Sequence, residues 1–109
     1  MNISVIIPVY NAAAYIEKAV TSALLHNEVK EVVLVNDGST DDSLAILQKL
    51  QQSDARIKIY HHENNANKGR SASRNLALQK ATMPFIAFLD ADDTWEPNFL
   101  QEISNLIDE

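Results

Sequence analysis

A chain of 109 residues holds one domain and little more. Fifteen acidic against nine basic side chains give a net charge of −6, which excludes general affinity for nucleic acid or anionic lipid, since both need a basic face. The absence of cysteine rules out disulfides and thiolate metal sites and is consistent with a reducing cytoplasm. No apolar run approaches the ~20 residues that span a bilayer, and the opening residues lack the basic stretch of a signal peptide.

Ile3–Val9 (ISVIIPV) is a nearly continuous β-branched run, the pattern of a strand buried on both faces. Asn11 then stands where it can cap a helix in which Ile16, Ala19, Val20, Ala23 and Leu24 recur at helical spacing. Glu31–Asn36 (EVVLVN) reads as a second buried strand, turned by Asp37-Gly38. Ser39, with Asp42 three residues on, resembles a capping box for a helix striped by Leu44, Leu47 and Leu50. Arg56–His61 alternates, with Ile57 and Ile59 on one side, which places it near the sheet edge. Glu63–Gly69 is polar and loop-like, and helix formers run from Arg70 to Ala81. Pro84 precedes a fourth strand, Phe85–Leu89. After a polar loop, Asp90–Thr94, Pro97 suits the first turn of a last helix carrying Phe99, Leu100, Ile103, Leu106 and Ile107. The predicted order βαβαβαβα implies a Rossmann-like α/β domain, a mainly parallel sheet with helices on both faces.

In such sheets ligands bind beyond the carboxyl ends of the strands. Pro8–Asn11, Asn36–Thr40, His61–Gly69 and Asp90–Asp93 should therefore share one rim. The three carboxylates of Asp90-Ala91-Asp92-Asp93 repel one another, and capping the next helix needs one or two at most. A divalent cation relieves the rest. Hard oxygen ligands favour Mg²⁺ or Mn²⁺, and Mg²⁺ often takes one or two carboxylates plus ligand phosphates. Such a cation also reconciles an acidic chain with an anionic ligand. Asp37 beside Gly38 is either an ordinary turn pair or an acceptor for the N–H of a base. Tyr10 either stacks on a base or packs in the core or on a helix. Lys68, Gly69, Arg70 and Arg74 form the one dense basic cluster, suited to phosphate at a helix N-terminus or simply solvated. His61 and His62 have no partner at metal spacing and read as surface, and Trp95 reads as packing beneath the acidic loop.

Taken together, Ser4–Asn11 (SVIIPVYN), Val35–Asp41 (VNDGSTD), Asn67-Lys68-Gly69 with Ser73-Arg74-Asn75, and Asp90–Asp93 (DADD) resemble family 2 glycosyltransferases of the GT-A fold. The resemblance spans the chain but covers only the nucleotide-binding half of such an enzyme. It implies transfer of a sugar, with inversion, from a nucleotide-diphosphate sugar (a UDP-sugar foremost) to an acceptor hydroxyl on a glycan or lipid-linked acceptor. Pro8, Tyr10 and Asn11 would line the nucleotide pocket. Asp37 would hydrogen-bond the base, and Lys68, Gly69 and Arg74 would sit by the nucleotide. Asp90, Ala91 and Asp92 match the Asp-x-Asp motif, with Asp92 in direct contact with Mn²⁺ or Mg²⁺ and Asp90 directly or through water or phosphate. The catalytic base would lie beyond residue 109, so this chain alone should be inactive. The family often has Asp where Asn36 stands, and commonly Ala where Ser73 stands, the latter a small change. The implied location is cytoplasmic, at the inner face of the membrane for a full-length enzyme in envelope polysaccharide synthesis. Self-association is expected of an incomplete sheet. Two alternatives remain at this point: a non-catalytic nucleotide- and metal-binding piece of such an enzyme, or a haloacid-dehalogenase-like phosphatase with Asp90 as nucleophile. The latter leaves Asp37 and the first-strand motif unexplained.

Overall fold

The computed structural model describes the backbone of residues 1–107 and the side chains of residues 1–103. Its four strands, β1 (Ile3–Val9), β2 (Val29–Asn36), β3 (Ile57–His61) and β4 (Phe85–Phe88), form one parallel sheet in the order β3-β2-β1-β4. Four helices, α1 (Ile16–Leu24), α2 (Ser43–Ser53), α3 (Arg70–Lys80) and α4 (Phe99–Ile107), complete the predicted α/β order. A short 3₁₀ turn, Glu63–Asn65, interrupts the loop before α3.

Alternation along the strands divides the core. Ile3, Val5, Ile7 and Val9 join Val32, Leu34 and Ile57 on the face covered by Ile16, Ala19, Val20 and Ala23 of α1, Leu47 of α2 and Leu100 of α4. Ile6, Val33 and Val35 point the other way, onto Ala77 and Leu76 of α3. With both faces covered, β1 and β2 need apolar residues at nearly every position, which is why they read as continuous runs. The β-branched side chains suit the pleat, and each fully buried Ile or Leu contributes roughly 1.5–3 kcal/mol.

The sheet's far edge is less protected. Phe85, Ile86 and Phe88 of β4 remain about 40–50% exposed, and the Arg74 guanidinium lies 5.5 Å from the Phe88 ring centroid. The loop before β4 is held by a buried polar cluster. Glu31 accepts from Ser4 Oγ at 2.7 Å, from Thr82 N–H at 2.9 Å and from Thr82 Oγ1 at 3.1 Å, while Ser4 Oγ accepts from Met83 N–H.

Several local expectations change because contacts between loops displace local caps. Asn11 does not cap α1, which begins at Ile16. Its carboxamide oxygen instead accepts from Thr40 N–H at 2.7 Å and Asp41 N–H at 3.3 Å, joining the β1–α1 loop to the β2–α2 loop. Ser39 and Asp42 form no capping box. Ser39 Oγ accepts from Asn11 N–H, and Asp41, just before the N-cap Asp42, accepts from Ser43 N–H at 2.9 Å, while Asp42 itself makes no side-chain cap bond. Hydrogen bonding from the Ser43 side chain, then from the Ser43 and Ala13 backbone, holds the Asp41 carboxyl below its ordinary range against the opposing effect of burial. Pro97 precedes α4 rather than opening it, since Asn98 supplies the carbonyl that receives Glu102 N–H. β2 begins two residues earlier than predicted, where Val29 pairs with Ile3. The expected packing of the Leu106 and Ile107 side chains lies outside the described residues.

Arg56 fastens the opposite end of the sheet. Its guanidinium donates to both Asp54 carboxylate oxygens and to the carbonyls of Val29 and Leu24. The Arg56 side chain, then its backbone N–H and its charge, hold the Asp54 carboxyl below the ordinary range, with burial opposing. A carboxyl whose folded pKa is depressed stabilises the fold above its unfolded pKa, and that stability is lost as pH falls through the folded value. Asp54→Asn is therefore expected to lower stability at pH 7, with the gap to wild type closing in acid below the usual carboxylate range. The pair is partly exposed, so solvent screening limits the effect to about 1 kcal/mol or less. Urea midpoints at pH 7 and pH 3 check it, and a gap of equal size at both would show that charge is irrelevant there.

Candidate functional site

The chain runs from β1 outward to β3 and then crosses back to β4 on the other side of β1. Such a reversal leaves a crevice beyond the carboxyl ends of the strands, because the connections diverge to opposite faces. A cleft of about 440 Å³ lies there, walled by the ends of β1, β2 and β4 and the approach to α3. That volume suits a small-molecule ligand.

Pro8 marks where the crevice begins. Leu89 N–H donates to Ile6 O, and Asp37 N–H donates to Val9 O, so even-numbered residues of β1 direct their backbone toward β4 and odd-numbered ones toward β2. Pairing with β4 ends at Ile6–Phe88. Pro8 thus lacks an N–H at the one place in a central strand where no neighbour asks for it. Tyr10 follows, 52% exposed, which settles its sequence alternatives against a core position. Tyr15, 57% exposed, faces the same cleft. Sequence reasoning passed over it, though an aromatic on the polar side of the predicted α1 turn was a signal. Asn11 lies at the mouth with φ +48°, a left-handed conformation that Asn tolerates better than most residues.

Asp37 is deeply placed, 4% exposed, yet lines the cleft. Alternation with Glu31, Val33 and Val35 puts it on the α3 side of β2. There its Oδ1 accepts from Lys68 N–H at 2.7 Å, and its Oδ2 accepts from Gly69 N–H at 3.1 Å. Gly38 lets the loop come this close: a Cβ on it would lie 2.9 Å from Asn67 N and 3.0 Å from Asn65 O, and its φ is +69°.

His62 corrects the sequence reading. It is buried rather than superficial, with Nε2 2.9 Å from Ser73 Oγ and 3.4 Å from Asp37 Oδ1. Ser73 is likewise no small change, since its fully buried hydroxyl is the partner of that ring. The signal was present in the sequence. Tyr60 packs on the α3 side, and His62 follows it at strand spacing. His61, between them, is exposed as expected.

The opposite wall carries Asp90, Ala91 and Asp92. Arg74 Nη2 lies 3.3 Å from Asp90 Oδ1 and so reaches the site through that carboxylate. The Arg74 and Lys68 side chains do not line the cleft, whereas Asn67, Gly69 and Arg70 do. Lys68 contributes its backbone N–H. Asp93 turns away: its Oδ1 accepts from Thr94 N–H, and its own N–H donates to Asp90 O. Trp95 packs beneath the acidic loop as expected, edge-on to His26 at 5.6 Å and against Phe99 at 5.2 Å. No group of three acidic or imidazole side chains converges among the described residues. The donor set nevertheless fits a hard cation in part. Asp90 and Asp92 supply carboxylate oxygens, and a cation between them would complete its shell with ligand oxygens and water.

No described helix is long and apolar enough to cross a membrane. Comparison with known proteins gives a consistent picture. The chain is 43% identical over 106 residues to an uncharacterized glycosyltransferase of Nostoc sp., covering 94% of this chain and 32% of that one. It is 41% identical over 101 residues to a putative teichuronic acid biosynthesis glycosyltransferase, TuaG, of Bacillus subtilis, covering 92% and 39%. Among solved structures, S. aureus TarS residues 1–349 in complex with UDP superposes with a TM-score of 0.85 at 35% identity, covering 99% of this chain and 32% of that one. A mannosyltransferase of Pyrobaculum calidifontis in complex with GDP-Man and Mn²⁺ gives a TM-score of 0.86 at 23% identity, covering 99% and 32%, and so shares the fold. The chain spans well under half the length of the curated relatives it matches, from 14% to 39% of those compared. With the Glycosyl transferase family 2 model matching residues 4–109, this chain belongs to that glycosyltransferase family.

Proposed function

We propose that the cleft binds the nucleotide diphosphate of a sugar donor, a UDP-sugar foremost, as the donor half of an inverting, metal-dependent glycosyltransferase. The observation that carries this reading is the two-ended cleft: a buried, amide-held carboxylate at Asp37 on one wall and the Asp90–Asp92 pair on the other. Pro8 and Tyr10 line the base and ribose end. Asp37, with a lone pair left on Oδ2, accepts from an N–H of the base. Gly69, Arg70 and the first turn of α3 offer donors to phosphate. Asp92, with Asp90, holds Mn²⁺ or Mg²⁺, which when bound neutralises the leaving diphosphate. The base that deprotonates the acceptor hydroxyl, and the acceptor site, belong to polypeptide beyond the segment matched here, so this chain by itself binds donor without transferring sugar. Family membership removes the support for a phosphatase.

Calorimetry with UDP, GDP and dTDP, each with and without Mn²⁺, tests the proposal. UDP should bind best, and Mn²⁺ should strengthen it. No binding of any nucleotide to demonstrably folded protein would sink the reading. In parallel, incubation with UDP-sugars should give no transfer or hydrolysis near ordinary enzyme rates, on the order of 1 s⁻¹ or more. Such turnover would place a catalytic base within residues 1–109.

A further inference from the structure

The buried surroundings of Asp37 include a group that the proposed function does not use. His62 follows the end of β3 and presents Nε2 to Ser73 Oγ at 2.9 Å and Asp37 Oδ1 at 3.4 Å. All three side chains are nearly or wholly buried. An ionised carboxylate offers only lone pairs. A bare Nε2 at 3.4 Å would set lone pair against lone pair, so we assign the hydrogen to Nε2. Oδ1 accepts from Lys68 N–H and, on a longer branch of 3.3 Å, from Gly69 N–H, with the imidazole 3.4 Å away. Oδ2 faces only Gly69 N–H. The carboxylate is pinned on one oxygen and left open on the other, and Asp37 borders the cleft.

We infer that His62 is a positioning residue that fixes the plane of the Asp37 carboxylate, so that Oδ2 meets a base carrying an imide N–H at the right angle. Ser73 holds the ring in place from α3. His62 therefore governs selectivity for the base, while touching no ligand itself. This inference rests on the proposed nucleotide site and adds the residue that tunes its base end.

The test separates base recognition from general stability. UDP and N3-methyl-UDP differ at the one N–H that Asp37 is proposed to accept. For wild type with Mn²⁺, UDP should bind roughly tenfold more tightly than its methylated analogue, the size of one well-formed hydrogen bond to a charged group. In His62→Ala that preference should shrink to about twofold or less. His62→Gln, which returns an N–H near the Nε2 position, should restore most of it. Affinity for N3-methyl-UDP should change little in either variant. Equal losses for both ligands, or an undiminished preference in His62→Ala, would overturn the inference, because either outcome makes the residue structural or idle. Wild type binding both ligands with equal affinity would remove Asp37 as the base acceptor and this role with it. Wild type binding neither would overturn the nucleotide site itself. Where the alanine variant does not fold, ¹⁵N-histidine spectra of the wild type decide: the Nε2–H tautomer at His62, shifted by UDP and less by N3-methyl-UDP, is expected. A bare Nε2 contradicts the inference.

Discussion

Asp92→Asn should remove most of the Mn²⁺-dependent gain in UDP affinity, on the order of tenfold or more, while Asp93→Asn leaves it nearly intact. The two residues are adjacent and equally acidic, so composition does not distinguish them. Geometry does. Asp92 faces the cleft and has no basic partner among the described residues. Asp93 is spent on the backbone of Thr94. Asp90 shares its carboxylate with Arg74, which offsets part of its charge and orients it. Asp90→Asn should therefore fall between the other two. Calorimetry at fixed Mn²⁺, and again in its absence, separates the metal-dependent part. Equal losses for Asp92→Asn and Asp93→Asn would show that the cluster acts only through net charge.

Gly38→Ala is expected to be among the most damaging small substitutions in the molecule. The left-handed φ of +69° costs an alanine roughly 1–2 kcal/mol. The added Cβ would also meet backbone at 2.9–3.1 Å, at Asn67 N, Asn65 O and Ala66 C, none of which can swing aside as a side-chain tip would. A total of about 2–4 kcal/mol follows, a fall in Tm of roughly 10 °C or more for a domain of this size. Gly69→Ala is a contrast of another kind: at φ +95° and ψ 167° the backbone alone reserves the position for glycine, while the added Cβ would meet nothing within 4 Å. Thermal melts check the Gly38→Ala estimate, and a loss no larger than the roughly 1–2 kcal/mol of backbone strain would refute the steric account. Gly38→Ala should also weaken UDP binding, because the displaced loop carries the amides of Lys68 and Gly69 that hold Asp37.

Where packing alone dictates structure, the sequence was legible. The β-branched runs of β1 and β2, the edge position of β3, and the helical stripes of α1 and α2 all follow from which faces are covered. The rim was legible in outline, since strand ends in a parallel sheet must share one side. Its hydrogen bonding was not. Asn11, Ser39 and Asp41 satisfy one another across loops about thirty residues apart in the chain, whereas a capping rule looks three residues ahead. The charges of Lys68 and Arg74 cluster in sequence, but which partners they meet is set by the fold: the Arg74 guanidinium lies at Asp90 and the Lys68 amide at Asp37. Polarity alone marks His61 and His62 alike as surface, but successive side chains on an extended segment face opposite ways, so His61 is exposed and His62 buried.

The cleft also has a mechanical side. One of its walls hangs from β4, a four-residue strand that pairs with β1 alone and keeps its apolar side chains half in water. The other wall is fixed to β2 in the middle of the sheet. A ligand held at both walls would therefore tie this edge strand to the middle of the sheet. By mass action, a ligand at a hundred times its Kd adds about 2.7 kcal/mol to the folded state.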